Sequence, residues 1–395
     1  MGKIYYLDHA ATAPVHPKAL IAYVEAIELI GNPSSPHSEG HKARQAIEDA
    51  RRRIAKCMGC EPREIIFTSG GTESNNIALE ILAPRMGDIY ETTMGDIYET
   101  TIITTWLEHH SAESYNSLHK WLVSDKEGFI NPSLWSDILA THKTPNTHFV
   151  IQYANSDIGT IQDISGISKI KSTNELFFTD AVQAVGHIPI NLRTLDKVDM
   201  LSASAHKFGG VKGVGFLFVR AGSVCRYQFH SLMYGGNQER GYRPGTENVP
   251  AIMAMAAALE EALDGIDYKI ERRRSVQKRL IEGLSLIPDA ELNGAIDLTR
   301  RLPNNVSFSF KGIFGDALVA LLDVKYNIIV SSGAACESGN LDGNRIVKAI
   351  GKSEELAKGT IRITFGDDLV NDTDGVDYVI QSITDAVKEL RKVKK

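Results

Sequence analysis

Lys207 stands in SASAHKFGGVKGVG (202–215), between small residues and a glycine-rich turn. An amine there can form a Schiff base with a carbonyl, provided it is neutral and open to approach. The same sequence also suits an ordinary surface lysine in a loop. Asp180 ends the apolar run ELFFTD (175–180), and Gln183 follows about one helical turn later in TDAVQAVG. Such a carboxylate can cap the next helix. It can also pair with a protonated ring nitrogen and make an aromatic ring a better electron sink. Upstream, TSGGTESNN (68–76) follows a strand-like run and opens a helix-like one. Adjacent glycines let backbone amides approach an anion, the helix start adds partial positive charge, and Thr72 and Ser74 offer hydroxyls. The segment reads either as a phosphate cradle or as a capped strand-to-helix turn. Taken together and in this order, cradle, acid and lysine are what a pyridoxal-phosphate site demands.

Cys336 lies in IIVSSGAACESGN (328–340), behind a strand-like run and among Ser, Gly and Ala. Such a segment can be mobile, and a thiolate that attacks one group and presents its product elsewhere needs reach and exposure. The alternative is a small buried hydrophobe. Cys57 and Cys60 form a single CxxC at the end of the amphipathic stretch ARQAIEDARRRIAKCMG (43–59). Without a second pair or a nearby histidine, packing is favoured over zinc or redox work. Cys225 reads as structural. His37 and His41 are helix-spaced, but they flank a turn-to-helix start with no carboxylate cluster. No metal site is expected, and that loop is expected to border the active site.

These groups must be held by a framework. With 395 residues, 43% of them hydrophobic, the chain has enough apolar mass for two domains. Strand-like runs at 64–69, 147–154, 175–180 and 213–220 alternate with helical stretches, including those expected around 111–123 and 163–174. That alternation predicts an α/β domain with a mostly parallel sheet, whose ligands sit at the carboxyl ends of strands. From about residue 251 the texture changes to a long helix (251–288), VSFSF (306–310), the helix DALVALLD (316–323), NIIVSS (327–332), IRITF (361–365) and a last helix (374–392). The expectation is a large domain over 15–260 and a smaller α+β domain made of 1–14 and 261–395. MGDIYETT occurs twice in tandem (86–101) and reads as a lengthened surface loop or helix end.

The charge balance, 43 basic against 49 acidic residues for a net of -6, offers no field for nucleic acid and no polybasic membrane signal. The amino-terminal residues lack the apolar core of a secretion signal, and no apolar run approaches a membrane span. Four unevenly spaced cysteines suit a reducing compartment. A cytoplasmic protein is expected.

The motifs YLDHAAT, GNPSSPH, TSGGTES, DAVQAVG, SAHKFGGVKG, ERGYRPGTEN and SSGAAC follow one another from residue 6 to residue 336. In that order they resemble the cysteine desulfurases of the class V aminotransferase family, pyridoxal-phosphate enzymes of fold type I. The likeness runs over essentially the whole chain. It implies that Lys207 holds the cofactor covalently and later moves the Cα proton. Asp180 would face the ring nitrogen, and Gln183 the ring hydroxyl. Gly71, Thr72, Ser204 and His206 would hold the phosphate, joined by Thr246 across a homodimer. His109, which directly follows Glu108, would stack on the ring in preference to His110. Arg362 and Asn32 would bind the substrate, L-cysteine. Cys336 would take its sulfur as a persulfide, leaving alanine, and pass it to an acceptor such as an iron–sulfur scaffold or a tRNA-thiolation protein. It would at most ligate a nascent cluster transiently. SSGAAC resembles the branch with a long mobile cysteine loop. One departure stands in YANSDIG (153–159). The family's ring-contacting asparagine is replaced by Ser156, with Asn155 one residue earlier, so a weaker or water-bridged cofactor contact is expected. A selenocysteine lyase or another class V enzyme, and a catalytically silent assembly module, are the rival readings. Dependence of alanine formation on Cys336, and visible cofactor colour, separate them.

Overall fold

The computed structural model describes residues 2–82, 100–113, 118–130, 147–223, 231–333 and 343–393. Strands are numbered along the chain as β1 (Tyr5–Tyr6), β2 (Ile65–Thr68), β3 (Thr101–Thr105), β4 (Leu118–Leu122), β5 (Thr147–Val150), β6 (Phe177–Asp180), β7 (Met200–Ser204), β8 (Gly215–Val219), β9 (Ala290–Leu292), β10 (Asn305–Phe310), β11 (Ile328–Ile329) and β12 (Thr360–Thr364). Seven of them form one sheet in the order β2-β8-β7-β6-β5-β3-β4. Pairing is parallel from β7 through β4, while β8 runs antiparallel to both β2 and β7. Every residue of β3, β5, β6, β7 and β8 is buried. Burial without alternation means that both faces of the sheet are covered, and the polar residues these strands contain are small or middle-sized, such as the threonines of β3 and the serines of β7. One cover is the helix Val249–Leu263, packed with α1 (Pro17–Ile27) and α2 (Ser38–Met58). On the other face Ile77, Ala78 and Ile81 of α3 (Gly71–Leu82) meet Phe178, Met200 and Leu217 of the sheet.

A three-stranded antiparallel sheet, β12-β10-β9, and the parallel pair β1-β11 form a second group. Their core gathers Leu280 and Leu284, Phe308 and Phe310, Ile361 and Ile363, with Val379 and Ile383 of the last helix, Thr373–Val393. Leu7 belongs to this core, whereas Ala19 belongs to that of the large sheet.

Three helical expectations are corrected. Residues 118–122 are a strand: they fill the edge beside β3 with five residues in parallel register, and that pairing overrides local helical preference. Over 163–174 the helix lasts only Ile164–Ile167 before a tighter turn, Ser168–Ile170. The stretch 251–288 is two helices, Val249–Leu263 and Ile266–Ser285, separated at Gly265, whose φ of 59° is left-handed. Among the described residues no helix is long and apolar enough to cross a membrane.

Two buried arginines tie loops to the frame. Arg51 of α2 pairs with Glu239, which also accepts the Phe67 N–H at 2.8 Å, so the loop 238–247 is pinned to β2. Arg301, fully buried, donates to the carbonyls of Ala295 and Asn293 and holds the turn ahead of β10.

Candidate active site

β6 and β7 end side by side, and their carboxyl ends supply the central groups. Asp180 closes β6, buried, with Oδ2 accepting from Asn75 Nδ2 at 2.7 Å and Oδ1 from the Val182 N–H at 2.9 Å. Ser204 closes β7, and the tight turn Ala205–Lys207 carries His206 and Lys207 onto the wall of one cavity. Lys207 Nζ donates to the carbonyls of Ala10 at 2.6 Å and Ala11 at 2.9 Å. Gln183 Nε2 donates to Ala10 as well, at 3.0 Å. Behind the lysine, His187 Nε2 donates to the Lys207 carbonyl at 2.9 Å. Burial, then the Arg273 charge, push the His187 pKa down to about 3, so its ring is neutral.

The start of α3 forms the cradle end of the cavity. Gly71 and Thr72 line it, and a Cβ on Gly71 would stand 2.5 Å from Val182 Cγ2, another lining residue. Ser74 does not line it. Its hydroxyl is fully buried against Thr68 Oγ1 at 2.8 Å and fastens the helix start to β2. His206 lines the cavity with Nδ1 3.2 Å from Thr12 Oγ1. Burial, then Lys207 and Lys212, hold its pKa at about 4.

His109 faces the same space. Its Nδ1 accepts from the Ser111 N–H at 3.2 Å and lies 2.8 Å from Ser111 Oγ, which in turn accepts from Asn75 Nδ2 at 2.8 Å. The neutral ring therefore carries its proton on Nε2. The ring is open to the cavity, yet the protein around it displaces enough water to hold its pKa below the ordinary value. Lys207 adds to that effect and Asp180 opposes it. Asn75 and Ser111, absent from the sequence reading, thus link Asp180 to His109.

Arg362, on β12, brings the second group of strands to the cavity. Its Nη2 donates to Asp8 Oδ1 at 2.8 Å and its Nη1 to Asp157 Oδ1 at 3.0 Å. Burial raises the Asp157 pKa, and the Arg362 charge opposes that rise. The Arg362 backbone also pairs with Ser331, two residues before the lining residue Gly333.

Ser156 lines the cavity, but Asn155 does not. The Asn155 amide is spent on the turn: Nδ2 donates to the Leu107 carbonyl at 3.1 Å, and Oδ1 accepts from Asp157 N and Ile158 N at 2.8 and 2.9 Å. Asn32 and Thr246 approach each other, Nδ2 to Oγ1 at 3.5 Å, and are exposed outside this cavity. Cys336, Cys225 and all but the last two residues of the MGDIYETT repeat lie outside the described residues. His37 caps α2 through Nδ1, accepting from Gly40 N at 3.2 Å. Burial pushes the Cys57 and Cys60 thiols up to about 11 and 12, leaving both protonated. Among the described residues no group of three or more His, Cys, Asp or Glu could hold a metal ion.

This donor set fits pyridoxal phosphate. The α3 amino terminus with Ser204 and His206 suits its phosphate, Asp180 its ring nitrogen, and the Lys207 amine its aldehyde. The chain matches the family model for aminotransferase class V over residues 5–379. It is 40% identical to the cysteine desulfurase IscS of Dictyoglomus turgidum, over all of this chain and 97% of that one. A solved NifS-like protein superposes with a TM-score of 0.85 at 32% identity, covering 98% of this chain and all of the other. A second solved structure, SspA in complex with cysteine, gives 0.74 at 29%, covering 92% and 99%. The chain belongs to the class V aminotransferase family, among its pyridoxal-phosphate-dependent cysteine desulfurases.

Proposed function

We propose that Lys207, Asp180, His109 and Arg362 remove sulfur from L-cysteine and that Cys336 receives it as a persulfide. One observation carries this reading. A single cavity collects those four side chains, and Gly333, three residues before Cys336, lines the same cavity. Three residues of chain span at most about 10 Å, so the thiol is tethered within reach of the site.

Bound pyridoxal phosphate supplies an electron sink conjugated to the substrate Cα. Arg362 grips the substrate carboxylate with a planar fork, held in its plane by Asp8 and Asp157. The Lys207 amine takes the Cα proton and later returns one. Asp180, fixed by Asn75 and the Val182 amide, keeps the ring nitrogen protonated. His109, neutral with an available Nε2, exchanges the proton of the substrate thiol. The Cys336 thiolate attacks the substrate sulfur: an S–S bond forms, the Cβ–S bond breaks, and its electron pair stays with carbon. Cysteine plus enzyme thiol gives alanine plus enzyme persulfide, which balances without an external oxidant. Cys336→Ala should keep the cofactor colour and lose alanine formation. Full turnover in that variant would overturn the covalent role.

The same reading includes a homodimer in the cytoplasm and a protein acceptor for the persulfide, an iron–sulfur scaffold or a tRNA-thiolation factor. The exposed face of α1 and the residues after it supports a second copy: Leu20, Val24, Ile27 and Ile30 are 53–84% exposed. Thr246, exposed beside Asn32, is then the residue that reaches the partner's phosphate. Light scattering tests the dimer, and transfer of labelled sulfur to purified candidates tests the acceptor.

A further inference from the structure

Arg345 lines the cavity, yet none of the roles above uses it. It opens the short helix Arg345–Ala349. Its Nη1 donates to the Trp106 carbonyl and its Nη2 to the Glu108 carbonyl, each at 2.8 Å. Those carbonyls flank Leu107, whose own carbonyl accepts from Asn155 Nδ2 at 3.1 Å. Three consecutive carbonyls of one turn are therefore held by two side chains from far along the chain. The guanidinium reaches that turn from a firm base. Asn344 donates its N–H to the Ala357 carbonyl at 3.0 Å, and its Oδ1 accepts from Val347 N at 3.0 Å. Ile346 and Val347, next to Arg345, share a buried apolar cluster with the Leu107 side chain.

His109 is the next residue after this turn. Ser111 sets its ring at Nδ1, but a ring contact alone does not fix where the backbone places the residue. Within the turn, Thr105 Oγ1 donates to Glu108 Oε1 at 2.7 Å and accepts from Leu107 N at 3.1 Å, which folds it back on the end of β3. Arg345 adds a two-point clasp from residues 239 and 237 positions away. A planar fork can hold two carbonyls at once, whereas an ammonium on a flexible stem is a point charge. We propose that Arg345 is a positioning residue that sets His109 toward the substrate thiol by clasping the Trp106 and Glu108 carbonyls. This rests on the reading that His109 exchanges the proton of that thiol. The charge of the clasp acts in the same direction. Burial does most to lower the His109 pKa; Lys207, His110 and Arg345 add to it, and Asp180 opposes them. Arg345 thus helps to keep the ring neutral, the form that can take a proton.

Arg345→Gln removes both fork and charge, and Arg345→Lys removes the fork alone. In the holoenzyme the Gln variant should lose about ten- to a hundredfold in kcat for alanine release. Its KM for cysteine should stay within about twofold, because Arg362 serves the carboxylate. The acid limb of its kcat profile should move to higher pH, since a cation beside His109 is gone. The Lys variant should be similarly slow with that limb unmoved. On a His109→Gln background, Arg345→Gln should cost nothing more, because nothing is left to position. Losses that multiply in the double variant would overturn the proposal, as would a Lys variant with parental kcat. So would a rise confined to KM, or weakened cofactor binding in a folded Lys variant, either of which would make Arg345 a direct contact of the ligand. If the Gln variant fails to fold, the same cycle with Arg345→Lys decides, and its loss must vanish on the His109→Gln background. A His109→Gln variant with parental kcat would instead sink the role given to His109.

Discussion

Arg362→Lys isolates what a planar fork does beyond carrying charge. Arg362 is 7% exposed and meets Asp8 and Asp157 at 2.8 and 3.0 Å with different nitrogens. An ammonium on a flexible stem can satisfy one of those carboxylates, and it cannot offer two parallel N–H groups to a substrate carboxylate as well. One charge-assisted hydrogen bond contributes roughly 1.5–3 kcal/mol. At so little exposure, solvent screening removes little of that. The expected outcome is a loss of about ten- to a hundredfold in kcat/KM for cysteine, measured as alanine released. The visible spectrum and affinity of the cofactor should stay unchanged, because the role proposed for Arg362 is toward the substrate. A variant within threefold of the parent would refute the assignment of the carboxylate to this fork.

Three further outcomes follow from other parts of the molecule. Glu239→Ala takes the two-point carboxylate from the buried Arg51 guanidinium, leaving Glu48 on Nε, and strips the Phe67 N–H of its acceptor; it should lower unfolding stability by about 3 kcal/mol, the low end for a broken buried pair, in urea titrations, and a loss under about 1 kcal/mol would show that the pair is not what pins the 238–247 loop. Burial holds His148 at about 4 and His187 at about 3, so the unfolded chain binds protons that the folded chain refuses. Stability should then be full above pH ~6.5 and fall by about 1.4 kcal/mol per pH unit for each histidine as pH drops toward 4. His148→Gln should remove one such increment of slope, and an unchanged slope would contradict the account. Cys57 and Cys60, pushed up to about 11 and 12, should alkylate about a hundredfold or more slowly than a free thiol at pH 8; rapid labelling of either one in the folded protein would contradict their burial.

The groups most legible in the sequence are those whose backbone setting is itself written in residues. Asp180 ends a run with both faces buried, Lys207 precedes glycines, and Gly71 opens a helix; periodicity and turn chemistry place all three. Ser74 and Asn155 are less legible for the opposite reason. Their hydroxyl and amide are consumed by Thr68 and by the Leu107–Ile158 turn, and only coordinates reveal a side chain's partner. Asn75 sits inside TSGGTESNN but the motif does not announce its role, and Ser111 carries no signal of its own, because the bonds that join Asn75 to Ser111 and to Asp180 span 36 and 105 residues. The strand at 118–122 was hidden because an edge position is filled by pairing with β3, a distant segment whose demand a local pattern does not record.

Arg362 N donates to Ser331 O, and Ser331 N donates back to Arg362 O at 3.1 Å. The strand that carries the Arg362 guanidinium is thus laced to the stretch of chain that leads toward Cys336. In the proposed reaction, the group that would bind the carboxylate and the root of the thiol's tether share one pair of peptide hydrogen bonds, so a substitution that loosens either rung should be felt at both.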